Sequence, residues 1–154
     1  MPTETIVALT LDEGSIIKRA PEVENERETA IRDLLEENQF DPVAMNEGPY
    51  KLHLSVMDNR LHFGMEDAKG VTHKEIMTLM PFRRIIKDYF MICESYFEAT
   101  KAANAYKVEA VDMGRRGIHN EGSTMLKDLL QDKIRIDFDT ARRLFTLICV
   151  LHIK

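Results

Sequence analysis

The stretch "KLHLSVMDNRLHFGME", Lys51 to Glu66, decides the fold. Leu52, Leu54 and Val56 alternate with polar residues, and Leu61, Phe63 and Met65 do the same after Asp58-Asn59, a pair suited to a tight hairpin turn. A two-residue turn pairs Val56 with Leu61, Leu54 with Phe63 and Leu52 with Met65. All six apolar side chains then share one face, whereas a slip of one residue would send one strand's set to the other. Such a sheet must be covered by a second layer.

The flanking sequence supplies that layer. "PEVENERETAIRDLLEENQF" places Pro21 at a first helical position, acids in the first turn, and Val23, Arg27, Ala30, Ile31, Leu34 and Leu35 along one stripe. "PFRRIIKDYFMICESYFEATKAA" carries Phe82, Ile85, Ile86, Tyr89, Cys93, Tyr96 and Phe97 at helical spacing. Asn104 is a candidate N-cap that starts a separate helix, and Asp137 is another for the last one, with Asp139 favourable in its first turn. The run "LFTLICVLHI", Leu144 to Ile153, is apolar nearly all round, which predicts a helix central to the core. "TIVALTLDEG" reads as a first strand from about Thr5 to Asp12, closed by Gly14. "DPVAMNEGPY" has the composition of a loop, "EDAKG" of a turn, and "VTHKEIMTLM" reads as a third meander strand with mixed alternation. The expected architecture is α+β. A small antiparallel sheet of about four strands packs against about four helices, with the C-terminal helix in the core and residues 1–154 forming a single domain.

Composition agrees with a folded chain. Of 154 residues, 44% are hydrophobic and 31% charged, which excludes the disordered and fibrous classes. The longest apolar run is about half the roughly 20 residues that a membrane-spanning helix needs. "MPTETIVALT" lacks the basic segment and cleavage site of a secretion signal, so a cytoplasmic location is expected. Cys93 and Cys149 lie among apolar residues without the spacing of a redox or metal motif. The formal charge of -5 is unevenly spread: the first 40 residues are strongly acidic and the second half is net basic. An anion would therefore dock on the second half. Overall acidity argues against broad nucleic-acid binding, which draws its affinity from neutralising many phosphates.

Four segments, "EVENERETAIRDLLEENQF", "PFRRIIKDYFMICESYFEA", "DMGRRGIHNEGS" and "DFDTARRLFTLICVLH", together resemble a small bacterial family of the uncharacterised (UPF) type. The resemblance covers nearly the whole chain and is weakest around "MEDAKGVTHKE". It implies no activity, cofactor or catalytic residue.

Functional candidates come from the residues themselves. In "DMGRRGIHNEGS", Val108, Val111, Arg115, Ile118, Gly122, Met125 and Leu129 form one helical seam, which puts a guanidinium on the inward face. Gly114, Gly117 and Gly122 each cost roughly 1 kcal/mol against alanine inside a helix, so a close approach of backbone or ligand should offset them. Asp112 stands four residues before Arg116, Arg115 four before His119, and Arg116 four before Asn120. Arg115 is either paired internally to an acid such as Asp88 or Glu94, or part of an anion site. Three doublets, Arg83-Arg84, Arg115-Arg116 and Arg142-Arg143, offer the planar fork that matches phosphate or carboxylate, yet each lies near an aspartate: Asp88, Asp112 or Asp139. His119 and Glu121 are the candidate acid and base, although two residues apart on a helix they point in different directions. The hairpin register puts His53 opposite Gly64 and places His62 on the same outer face. If Glu66 pairs with Val71, His73 joins them as a weak zinc or copper candidate, and the expectation is that no metal or other cofactor is bound.

The preferred reading is a non-enzymatic binding or adaptor module. Its arginine-rich surface, formed from Arg83, Arg84, Arg115, Arg116, Asn120, Arg142 and Arg143, would meet a small anion or a protein partner, which includes a second copy of the chain. The alternative is a small hydrolase-like enzyme using His119 and Glu121 beside Arg115 or Arg116.

Overall fold

The computed structural model describes residues 4–12, 21–45 and 47–152. Gly14 and Ile153, which bound the first strand and the last apolar run in the sequence reading, lie outside them. The chain runs through β1 (Ile6–Asp12), α1 (Pro21–Glu36), β2 (Phe40–Pro42), β3 (Tyr50–Met57), β4 (Arg60–Glu66), β5 (Thr72–Thr78), α2 (Arg83–Lys101), α3 (Ala105–Leu130), β6 (Ile134–Ile136) and α4 (Phe138–His152). This is an α+β fold.

The main sheet has the order β1-β3-β4-β5. Its centre is the hairpin β3-β4, where Leu52 faces Met65, Leu54 faces Phe63 and Val56 faces Leu61. Asp58 and Asn59 both adopt positive φ, 54° and 60°, the conformation that a two-residue type I′ turn requires. Leu52, Leu54, Leu61, Phe63 and Met65 are buried and Val56 half-buried, so the inward face is the one the alternation predicts.

One pairing departs from an all-antiparallel sheet, because β1 runs parallel to β3. Strand alternation carries no direction. Here α1 and β2 intervene and return the chain to the end at which β1 began, as a parallel crossover demands. Asn38, just after α1, fastens this strand. The Ile6 N–H donates to Asn38 Oδ1 at 2.7 Å, and Asn38 Nδ2 donates to the carbonyls of Ile6 (3.0 Å) and Leu34 (2.8 Å). A carboxamide thus stands in for a neighbouring strand where the β1 register shifts. A second, two-stranded sheet pairs β2 with β6, Phe40 opposite Ile136 and Pro42 opposite Ile134. The sequence reading takes this stretch of "DPVAMNEGPY" for loop, since its strand is three residues long and contains proline.

The helical layer starts from caps. Asn104 accepts from the Lys107 N–H at 3.2 Å, and Asp137 from the Thr140 N–H at 2.9 Å. Between α2 and α3 the chain turns through Ala103 at φ 54°. Helix α4 packs on α1, α3 and β3. Its Ala141, Leu144, Phe145, Leu147, Ile148, Cys149 and Val150 are buried, so the C-terminal helix is central to the core.

The seam read in sequence on α3 holds from Val108 to Met125, every position half-buried or buried, and turns away only at its C-terminal end. Gly122, Ser123, Leu126 and Leu130 are the buried residues of the helix, while Leu129 is 48% exposed. Two of the three glycines are packing devices. A Cβ on Gly122 would lie 2.3 to 2.8 Å from the Phe145 ring, and one on Gly114 would lie 2.7 Å from Ile92 Cδ1. Gly117 has nothing within 4 Å of that position, so the expected close approach is absent there.

Candidate functional site

Helices α1, α3 and α4 enclose a cleft of about 410 Å³. The Gln39 N–H donates to Thr140 Oγ1 at 2.9 Å and ties the end of α1 to the start of α4. The two helices therefore run in opposite directions along the cleft. Asp33 lines the cleft together with Arg142 and Arg143, and Glu26, about two turns earlier on α1, lies beside Arg115. Helix α1 contributes Asn25, Glu26, Thr29 and Asp33 to one wall; α3 and α4 contribute Arg115, Arg116, His119, Arg142, Arg143 and Thr146 to the other.

Arg115 is held on three sides. Its Nη2 and Nε donate to Asp112 Oδ1 at 2.6 and 3.2 Å, its Nη1 lies 3.6 Å from Glu26 Oε1, and its guanidinium stacks 4.5 Å from the centroid of the Tyr96 ring. The hydrogen bond from Arg115, with both neighbouring arginines, holds the Asp112 carboxyl below its ordinary range. Burial pushes the Glu26 carboxyl up, against the pull of Arg115. The partners are thus Asp112 and Glu26 rather than Asp88 or Glu94.

The other cleft arginines are less engaged. Arg116 Nε lies 3.0 Å from Asp112 Oδ2 and Arg142 Nη1 4.0 Å from Asp139 Oδ1, while Arg143 has no ion pair among the described residues. Asp33 is paired to its own neighbour Arg32, at 3.7 Å and close to solvent.

His119 sits at the back of the cleft. Its Nε2 shares a 2.7 Å hydrogen bond with Thr146 Oγ1, and its ring packs between Tyr89 (5.3 Å between centroids) and Phe145 (5.2 Å). Ser123 Oγ donates to the His119 carbonyl at 2.7 Å and lies 3.5 Å from Nδ1. Burial, reinforced by Arg142 and Arg115, pushes the imidazole pKa down to about 4. It is neutral at pH 7. Burial also raises the Tyr89 phenol, which stays protonated, and pushes the Cys93 thiol up to about 11.

The remaining sequence candidates lie elsewhere. Asn120 and Glu121 border a separate shallow surface with Gly117 and Asp128, so His119 and Glu121 do not meet. Arg83 and Arg84 are exposed at the start of α2; Arg83 edges another groove, and Arg84 Nε is 4.0 Å from Asp88. On the sheet, His53 faces Gly64 as expected and its Nδ1 hydrogen-bonds Thr10, while His62 faces Ser55. His73 corrects the proposed triad. Glu66 pairs with Thr72, not Val71, so His73 falls opposite Met65 and Lys74 opposite Gly64. Asp67 Oδ1 accepts from the N–H groups of Lys69 and Val71 and builds a five-residue turn, which moves His73 to the inner face beside Glu75. Among the described residues no three His, Cys, Asp or Glu side chains are grouped to hold a metal ion. No described helix is long and apolar enough to cross a membrane.

Sequence reasoning missed Glu26, Asp33, Tyr89 and Thr146 as cleft residues. The signal for the first two was present, since Glu26 and Asp33 stand seven residues apart on one helix face. Thr146 lies one turn after Arg142.

Comparison with known proteins places the chain among bacterial relatives. A family model described as Uncharacterised protein family (UPF0262) matches residues 3–154. A UPF0262 protein of Azorhizobium caulinodans is 53% identical over 99% of this chain and 96% of its own length. One from Rhizobium etli is 57% identical over 91% of this chain and 90% of its own, and one from Rhodopseudomonas palustris 55% over 97% and 92%. No solved structure matches. The segments that carried the resemblance, the match over residues 3–154 and the identity above half with these relatives agree: the chain belongs to the UPF0262 family.

Proposed function

We propose that the protein is a binding module whose cleft between α1, α3 and α4 takes an anionic group, a phosphate or carboxylate, through Arg116, Arg142 and Arg143. The observation that carries this reading is the convergence of two arginine doublets, from two different helices, on one cavity. Planar guanidinium groups from separate elements suit a multiply hydrogen-bonded oxyanion. Arg115 acts as a positioning residue, because its donors are already committed to Asp112 and Glu26. A small anion matches the volume of this open cleft, about 410 Å³.

The enzyme alternative has less support. A hydrolase built on His119 and Glu121 needs the two on one site, and they border different surfaces. A histidine with a pKa near 4 is also a weak base at neutral pH. Its contacts to Thr146, Tyr89 and Phe145 suit a neutral ring that fastens α3 to α4.

Thermal melts with and without inorganic phosphate test the reading, since a ligand that binds only the folded state raises the melting temperature. Phosphate should stabilise the wild type and Arg83→Gln alike. It should lose its effect in Arg143→Gln. Equal stabilisation of all three proteins contradicts the cleft as the site.

A further inference from the structure

The cleft has two walls of opposite charge, and among the described residues an ion pair crosses it at one end only. At the Tyr89 end, Glu26 on α1 reaches Arg115 on α3 at 3.6 Å and closes the gap directly. At the other end, Asp33 on α1 and Arg142 and Arg143 on α4 line the same cavity without an ion pair between them. The ion pairs made there are local, Asp33 with Arg32 and Arg142 with Asp139 on their own helices, and exposed pairs of that kind contribute little. An anion alone would satisfy the arginine wall but lie near the Asp33 carboxylate, whose ion pair with the solvent-exposed Arg32 on its own helix is a weak one. Asn25 and Thr29 extend the α1 wall with further hydrogen-bonding groups.

We propose that the cleft selects a zwitterionic small molecule, with its phosphate or carboxylate on Arg142 and Arg143 and a primary ammonium group on Asp33. This rests on the anion reading above and adds the cationic half of the ligand. Opposite charges fixed on facing walls reward a ligand that carries both and penalise one that carries two anions.

The test compares 3-aminopropyl phosphate with propyl phosphate by calorimetric titration, in the wild type and in Asp33→Asn. The amino compound should bind the wild type roughly fivefold more tightly, the order expected of one partly exposed ion pair. In Asp33→Asn the ratio should fall to about one, with propyl phosphate bound at least as well as before. Equal binding of the two compounds to the wild type overturns zwitterion selection and leaves the anion cleft standing. A preference that survives Asp33→Asn overturns the assignment to Asp33. If neither compound binds the wild type, the anion reading itself fails.

Discussion

Arg115 Nη2 lies 2.6 Å from Asp112 Oδ1, one turn earlier on the same helix, and this pair orients the guanidinium that also meets Glu26 and stacks on Tyr96. The Arg115 side chain is 23% exposed, between a surface pair and a buried one. Arg115→Ala should therefore destabilise by about 1 to 3 kcal/mol, above the value for a solvated pair and below that for a fully buried one. Arg115→Lys should recover only part of this, because a point charge cannot serve two carboxylates and a ring face together. Urea unfolding of both variants checks it, and an unchanged urea midpoint in Arg115→Ala contradicts the positioning role.

His119 gives a pH signature. Its folded pKa, about 4, lies below the ordinary histidine value, so between about pH 6.5 and 4 the unfolded chain takes a proton that the folded chain refuses. The unfolded state then binds more protons, and stability rises with pH across that window. The histidine's contribution is complete above about 6.5 and is lost as pH falls toward 4, with a slope of at most about 1.4 kcal/mol per pH unit. His119→Gln should remove that slope between pH 6.5 and 5, read from urea midpoints at several pH values. An identical slope in the variant would refute a buried neutral imidazole.

The three glycines of α3 should separate. Gly117→Ala meets open space and gains helix propensity, so it should stabilise by up to about 1 kcal/mol. Gly122→Ala drives a methyl into the Phe145 ring and should destabilise by about 1 to 3 kcal/mol. Gly114→Ala should fall between, since the obstructing atom is the far end of the Ile92 side chain. Thermal melts rank the three, and the reverse order of Gly117 and Gly122 contradicts the packing.

Ala103 ends α2 in the left-handed region, with its N–H donating to the Thr100 carbonyl at 3.1 Å and that of Asn104 to the Ala99 carbonyl at 3.3 Å. Glycine is the residue suited to that position. Ala103→Gly should stabilise by about 1 kcal/mol, and a lower melting temperature in this variant would count against the turn as described.

What was legible in the sequence had a period to read. Leu52 to Met65 alternate around a two-residue turn, which leaves one register that puts all six side chains on the inner face. Asn104 and Asp137 could be read as caps because a cap is a local hydrogen bond. His73 could not be placed, since its face depends on the length of a turn built by the Asp67 side chain. The parallel pairing of β1 was hidden because alternation has no direction. Within the site, Asp112 could be matched to Arg115 and Arg116 by helical spacing, whereas Glu26 reaches Arg115 only through the packing of α1 beside α3 and α4. The convergence of the Arg115 and Arg142 doublets is likewise a property of helix packing, which no local spacing encodes.

The most direct test of the anion cleft is calorimetric titration of inorganic phosphate into the wild type and into the double variant Arg142→Gln, Arg143→Gln, with folding of both confirmed by circular dichroism. Both changes are on partly exposed side chains, so the fold should survive them. The wild-type chain should bind about one phosphate saturably, and the double variant should lose that binding. Phosphate bound equally by both proteins, or by neither, would contradict the anion cleft.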